Sequence, residues 1–160
     1  MNPEDYIQSV EEQLRAYDFE PVDIVDQSGY ICYRRRSSRI VREEEELVFV
    51  TEFKSDSVDD LKYHFDDVVE SGKAVFSLDE GMAVRQWYFV AVMRSSTRAL
   101  RVATERGSKM FSLQDNYRGF LLPVLVDLEQ SILKCGDVSL KHKVTHLTEM
   151  ENKAEEYFKI

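Results

Sequence analysis

The stretch Leu47-Val48-Phe49-Val50-Thr51-Glu52-Phe53-Lys54 decides the predicted fold, because a strand pattern leads here directly into a helix pattern. Side chains alternate between the two faces of a strand, so Glu52 and Lys54 share one face near its carboxyl end. The Ser-Val-Asp-Asp sequence at 57–60 is similar to a helix-capping box, and apolar residues follow it at helical spacing. The stretch therefore predicts a strand followed by a helix, which is how an α/β unit begins.

A second apolar strand completes this unit. Residues 86–93 have an almost unbroken apolar character, which is typical of a central strand buried on both faces. Because a strand-helix-strand connection is normally a right-handed crossover, we expect residues 47–54 and 86–93 to lie parallel to each other.

The residues before this unit predict one helix and two strands. Asn2 is a helix-capping residue, and Pro3 suits the first helical position. Residues 19–25 and 30–36 have strand character and are joined by a turn signal. The apolar stripe expected on the first helix consists of Ile7, Val10, Leu14 and Tyr17.

The residues after the unit add a short helix, further strands and a terminal helix. The helix ends at Gly107, residues 120–126 predict a strand, and residues 131–134 predict a short hairpin strand. The predicted order α-β-β-β-α-β-α-β-(β)-α indicates an α/β fold, with α+β as the alternative, built on a single mixed sheet with helices on both faces. The length of 160 residues indicates a single domain. We expect a helix within residues 141–160 to dock on this domain or to mediate self-association.

The charge of the chain disfavours a nucleic-acid partner. The formal net charge is -9 and the isoelectric point is about 4.9, so phosphate backbones are repelled at long range. Arginines cluster once, within residues 34–42, and four glutamates follow at 43–46. These adjacent opposite charges favour a solvated hairpin with internal ion pairs over a phosphate-binding groove.

Composition also indicates the cellular compartment. No apolar run is long enough to span a bilayer, so we expect no membrane partner. The first residues lack a secretory signal pattern, and the two cysteines, Cys32 and Cys135, form no disulfide framework. We therefore expect a cytoplasmic protein with reduced thiols.

The order of a helix, three strands, a helix and a strand over residues 3–94 resembles the αβββαβ core of the PD-(D/E)xK nuclease superfamily. This resemblance implies a divalent metal ion such as Mg²⁺ that activates water. It assigns the catalytic acid and lysine to Glu52 and Lys54, with Glu12 on the first helix as an accessory acid. The family also has an aspartate on its second core strand, but residues 30–36 contain no acid. Asp26 precedes them in the turn and is the candidate for this acid only if the register of the strand differs from the predicted one.

The same acid-x-lysine pattern occurs twice more, at residues 60–62 and 151–153, on predicted helices. Only the copy at Glu52 and Lys54 lies at the end of a strand, where ligands commonly bind in open α/β sheets. The alternative interpretation is an exposed surface ion pair.

A second candidate site follows the strand at residues 86–93. Free amides at a helix start bind anions, and arginine or hydroxyl side chains nearby would add charge and hydrogen bonds. The residues concerned are Arg94, Ser95, Ser96, Thr97 and Arg98. The alternative interpretation is that Ser95 or Ser96 only caps the helix.

A weaker metal pattern consists of Cys135, His142 and His146, since the two histidines are one helical turn apart. Structural zinc sites usually need a second close pair of ligands, which is missing from the sequence. We therefore predict no metal site and no cofactor outside the nuclease hypothesis.

Residues 86–135, with the segment Gly-Phe-Leu-Leu-Pro-Val-Leu-Val-Asp-Leu at 119–128, resemble prokaryotic, including archaeal, α/β proteins without an assigned function. This resemblance implies a prokaryotic origin and carries no catalytic residue. Two hypotheses of function follow from the sequence. The first is a cytoplasmic, non-enzymatic binding or interaction module with a protein partner or with a second copy of itself. The alternative is a divalent-metal-dependent nuclease, or an inactive relative.

Overall fold

The computed structural model of the chain describes residues 1–24, 29–38, 43–75, 82–112, 118–138 and 145–160. The helices are α1 (Pro3–Ala16), α2 (Val58–Val75), α3 (Arg98–Glu105) and α4 (Thr145–Tyr157). The strands are β1 (Glu20–Val22), β2 (Ile31–Ser38), β3 (Glu43–Glu52), β4 (Met82–Met93), β5 (Lys109–Ser112), β6 (Arg118–Asp127) and β7 (Ile132–Cys135). This order confirms the predicted α/β fold class.

All seven strands form one mixed sheet in the order β1-β2-β3-β4-β6-β5, and β7 also pairs with β6. Strands β1, β2 and β3 are antiparallel neighbours, whereas β3, β4 and β6 are parallel. The expected parallel pairing across α2 is confirmed, because Glu52 of β3 lies beside Val92 of β4. The carboxyl ends of β3, β4 and β6 therefore meet at one edge of the sheet.

Helices cover both faces of the sheet, as predicted. One core contains residues of α1 and α4, and the other contains residues of α2 and α3. Strand β4 contributes alternate side chains to the two cores and is buried throughout residues 85–93. Its side chains in the α1/α4 core are Tyr88, Val90 and Val92, and those in the α2/α3 core are Trp87, Phe89, Ala91 and Met93.

Helix α1 begins as its sequence predicts, since the Asn2 side chain accepts a hydrogen bond of 2.8 Å from the Asp5 amide. Its buried stripe differs slightly from the expected one. Tyr6 is buried together with Val10 and Leu14, whereas Ile7 and Tyr17 are only partly buried. The Tyr6 hydroxyl donates to the carbonyl of Phe158, so α1 is joined to the chain end that follows α4.

The prediction of a solvated hairpin over the charged residues is wrong for the glutamates. Strand β3 begins at Glu43, earlier than expected, and Glu44, Glu45 and Glu46 are only 1–3% exposed. Basic side chains of the neighbouring strands pair with two of these acids. Glu45 pairs with Arg36 of β2 and Arg85 of β4, and Glu46 pairs with Arg35 of β2. The expected ion pairing is thus present, but it is buried.

Helix α4 lies on the sheet in the α1/α4 core. Its buried side chains Leu147, Met150 and Ala154 recur at spacings of three and four residues, which forms one apolar stripe. Val144, which has the same spacing, lies outside the described residues. Helix α4 thus packs against the sheet, and self-association through residues 141–160 stays a prediction. Among the described residues, no helix combines the length and the apolar character that a membrane span requires.

Candidate functional site

A groove of about 730 Å³ lies between α2 and α3, on the outer side of the α2/α3 core. This volume is within the range of roughly 300–1,000 Å³ that is common for ligand pockets. Apolar side chains of both helices line it, namely Val58, Phe65, Ala99, Val102 and Ala103. Ala99 is exposed and Val102 is half-buried, so part of this apolar surface is open to solvent.

The charged side chains of the groove are mostly basic, although the chain as a whole is acidic. Lys62, Arg98, Arg106 and Lys109 line it, and Asp66 is the one acidic residue among the described residues of the lining. Lys109 pairs with Asp66 at 2.6 Å. Among the ion pairs formed by the described residues, none involves the other three basic side chains.

Close packing at Gly107 shapes one end of the groove. A Cβ atom at this position would lie 2.7 Å from Cε2 of Phe65 and 3.0 Å from Cγ of Pro123. Only a residue without a side chain lets the segment after α3 approach Phe65 so closely. The glycine that was expected to end α3 therefore also fixes the relative position of the two groove walls.

Helix α3 presents its groove residues at helical spacing. Thr97 is its N-cap, and the Thr97 hydroxyl accepts a hydrogen bond of 3.2 Å from the Leu100 amide. Arg98, Val102 and Arg106 follow at intervals of four residues, so they lie along the same side of the helix. The two arginines thus flank an apolar side chain along the groove.

The five residues of the predicted anion site lie in different surroundings. Arg98 lines the groove, whereas Arg94 and Ser95 are exposed outside it. Buried Ser96 donates from its hydroxyl and its amide to one carboxylate oxygen of Asp127, at 2.7 and 2.8 Å. Asp127 thus accepts the hydrogen bonds that an external anion would receive from Ser96. The helix is capped by Thr97, whereas the alternative interpretation named Ser95 or Ser96.

Asp127 is held in its ionised form by this arrangement. Burial alone would raise the pKa of Asp127, but hydrogen bonds from the Gln130 amide and from Ser96, together with the charge of Arg101, lower it below its ordinary value. Arg101 also donates to the Ser96 carbonyl at 2.9 Å. The start of α3 is therefore tied to the end of β6.

Glu52 is the last residue of β3 and lies beside β4, as predicted, whereas Lys54, which was expected within this strand, lies two residues beyond its end. The Lys54 Nζ is 3.8 Å from a carboxylate oxygen of Glu52, and the two side chains are 78% and 34% exposed, respectively. An ion pair with this exposure stabilises a fold little, and its geometry is that of the surface ion pair in the alternative interpretation.

The other acids of the nuclease hypothesis are not assembled around Glu52 within the described structure. Asp26 lies outside the described residues, and Glu12 is exposed and accepts a hydrogen bond of 3.5 Å from Gln8. The neighbouring Glu11 instead accepts a bond of 2.7 Å from the Tyr33 hydroxyl of β2. Across the described part of the chain, no group of three side chains suited to a metal ion is found.

The weak zinc pattern is not assembled among the described residues either. Cys135 is a free thiol whose pKa is raised to about 12, mainly by burial. His142 and the side chain of His146 lie outside what the structure describes. His64 instead contacts the Tyr30 hydroxyl and stacks on Phe89 with ring centroids 5.9 Å apart.

A buried charge cluster beneath α4 was missed by the sequence prediction. The Glu46 carboxylate accepts a hydrogen bond of 2.7 Å from Arg35, and Lys153 of α4 lies 3.3 Å from it. The hydroxyls of Tyr157 and Tyr88 donate to it at 3.2 and 3.4 Å. Because four donors surround one carboxylate, the cluster serves to attach α4 to the sheet.

Comparison of the chain with protein-family models and with curated protein sequences finds no match.

Proposed function

We propose that this protein is a cytoplasmic, non-enzymatic binding module that holds an acidic segment of a partner protein in the groove between α2 and α3. The single observation that carries the proposal is the groove itself, in which an apolar floor is bordered by four basic side chains and one acidic side chain. In a chain of net charge -9, such a local excess of positive charge favours a partner of opposite sign. The two free cysteines suit a reducing compartment.

A selection experiment with random peptides tests this function directly. Peptides selected from a phage-displayed random library on the purified protein should be enriched in Asp, Glu and large apolar residues. Arg106→Glu and Ala99→Glu place a carboxylate in the groove, so they should weaken binding of the selected peptides. For Arg106→Glu we expect a loss of about two- to thirtyfold, because one exposed attraction is replaced by a repulsion. Lys159→Glu is the control, because it makes the same charge change as Arg106→Glu at an exposed site away from the groove. Lys159 follows Phe158, whose side chain belongs to the α1/α4 core, and the variant should bind the peptides normally.

Selected peptides without an excess of acids would contradict the proposal. Acidic peptides that bind Arg106→Glu as tightly as the unchanged protein would contradict it as well, since the groove would not be their site.

A divalent-metal-dependent nuclease is the second candidate, and the location of Glu52 and Lys54 favours it. The support comes from the three antiparallel strands, the parallel crossover to β4 and the exposed acid and lysine at the carboxyl end of β3. In such a site Glu52 would hold Mg²⁺, and Lys54 would stabilise the attacking hydroxide or the scissile phosphate.

Incubation of single- and double-stranded DNA with the protein and Mg²⁺ or Mn²⁺ tests the nuclease candidate. Cleavage should be lost in Glu52→Gln and in Lys54→Ala, whereas Glu129→Gln, which removes an exposed carboxylate after β6, should cleave normally. Intact DNA in the presence of either metal would exclude this candidate.

A further inference from the structure

The two arginines that line the groove are spaced like positions on one side of a helix. Arg98 and Arg106 are separated by two turns of α3, roughly 12 Å along its axis. Val102 lies between them in the sequence and in the groove lining. A ligand that satisfies both arginines therefore needs two negative charges about 12 Å apart, with an apolar group between them.

The opposite wall leaves one further positive charge. Lys62 and Asp66 both belong to α2 and line the groove, but Asp66 is paired with Lys109. This pair neutralises the α2 wall at its Asp66 end, whereas Lys62 forms no ion pair with the described residues. The positive charge available to a ligand is thus concentrated along α3 and at Lys62.

The walls of the groove indicate the conformation of its occupant. Apart from Lys109, the lining residues belong to α2, to α3 or to the three residues that follow α3. Side chains rather than strand-edge backbone groups therefore face the ligand, so an extended peptide would gain no strand-to-strand hydrogen bonds here. A helix makes its backbone hydrogen bonds internally and presents only side chains.

We infer that the groove holds an amphipathic helix of the partner protein, which lies along α3 and presents two carboxylates about two turns apart. One carboxylate meets Arg98 and the other meets Arg106, while apolar side chains between them contact Val102 and Phe65. This inference rests on the proposed function and specifies the class of partner at the same groove.

Three synthetic peptides of about 16 residues test the inference, since shorter helices are marginal in water. The first carries Glu at positions i and i+7 on the face of a Leu stripe. The second has the same composition, with both Glu residues moved to the opposite face, and the third is the first with a central proline. Fluorescence anisotropy with the 160-residue protein gives the Kd of each peptide, and circular dichroism gives the helicity of each peptide.

The first peptide should bind about two- to thirtyfold more tightly than the second, which is the range expected for two exposed ion pairs. The proline peptide should bind more than about tenfold more weakly than the first, because proline interrupts the helix. Arg98→Glu and Arg106→Glu should each abolish the preference for the first peptide over the second, whereas Lys159→Glu should keep it.

Equal binding of all three peptides, or tighter binding of the proline peptide, would overturn the helical occupant. Acidic peptides selected from the random library would still support the proposed function in that case, so the two failures are distinguishable. Failure of all three peptides to bind would also overturn the inference, and the library selection would then decide the proposed function separately.

Discussion

Asp127 is a single buried carboxylate that joins the end of β6 to the start of α3. It accepts hydrogen bonds from Ser96 and from the Gln130 amide, at distances of 2.7–3.0 Å. These bonds together with Arg101 outweigh the effect of burial, so the pKa of Asp127 lies below its ordinary value. A carboxyl group with a lowered pKa in the folded state stabilises that state only while it is ionised.

Asp127→Asn should therefore destabilise the protein at neutral pH. Two amide donors face the two carboxylate oxygens, and the NH₂ group of asparagine cannot accept a hydrogen bond, so one donor loses its acceptor. The expected loss is about 1–3 kcal/mol in the free energy of unfolding at pH 7, measured by urea denaturation.

The loss of stability in Asp127→Asn should depend on pH, because it reflects the ionised form of Asp127. As pH falls through the lowered pKa of Asp127, this carboxyl group becomes protonated in the unchanged protein. The unchanged protein then loses the stabilisation that Asp127→Asn lacks at every pH. The difference between the two proteins should therefore shrink near pH 3, provided both remain folded without urea. A difference that grows with acidity would show that Asp127 is not ionised in the folded protein. Ser95→Ala, an exposed neighbour, should change stability little at either pH.

At the scale of elements, the attachment of α4 depends on polar groups as well as on its apolar stripe. Tyr157 accepts a hydrogen bond of 2.6 Å from Arg35 and donates one of 3.2 Å to Glu46. Its pKa is raised mainly by burial and next by the nearby charge of Glu46, so the hydroxyl stays protonated and can donate. The helix is thus joined to both β2 and β3 through one hydroxyl group.

Tyr157→Phe should lower the free energy of unfolding by about 1–3 kcal/mol, because it leaves a buried carboxylate and a guanidinium with one partner fewer. Urea denaturation measures the loss of stability. Hydrogen exchange should show that the substitution accelerates amide exchange in α4 more than in β4. Tyr63→Phe is the matched control, since Tyr63 is 65% exposed and its hydroxyl should contribute little. Equal stability of Tyr157→Phe and the unchanged protein would mean that apolar packing alone holds α4.

The elements could be predicted from the sequence where one local rule dominated. Residues 86–93 could be placed in the centre of the sheet because both faces of β4 are apolar. Strand β5 was missed because its four residues, Lys109–Ser112, show only a weak alternation. The early start of β3 was missed because glutamates are depleted in strands, and it takes partners on β2, β4 and α4 to make the burial of Glu45 and Glu46 favourable.

At the scale of the whole molecule, the groove could not be predicted because it combines two helices that are distant in the sequence. The pattern Arg98, Val102 and Arg106 was visible as a spacing of four, but Phe65 and Lys62 join it only through the packing of α2 beside α3. The placement of Glu52 and Lys54 was predictable, because it depends on one strand and on the direction of its neighbour. Sites made by one element are readable from sequence, whereas sites between elements require the topology.

The opposite signs of the groove and of the whole chain predict an unusual dependence of binding on salt. At about 0.01 M ionic strength the Debye length is roughly 30 Å, so an acidic peptide senses the net charge of -9 and is repelled. Near 0.1 M this length is about 10 Å, and the peptide senses mainly the basic groove. At about 1 M both effects are screened.

The association rate constant of a groove-binding acidic peptide, measured by stopped-flow fluorescence, should therefore rise between about 0.01 and 0.1 M salt and fall towards 1 M. For Arg106→Glu the association rate constant should no longer decrease towards high salt, because this decrease reflects attraction by the groove. Lys159→Glu should keep the maximum, since its charge change leaves the groove intact. A rate constant that only falls from the lowest salt concentration would show that the net charge does not oppose association, and that the groove dominates the field at all distances.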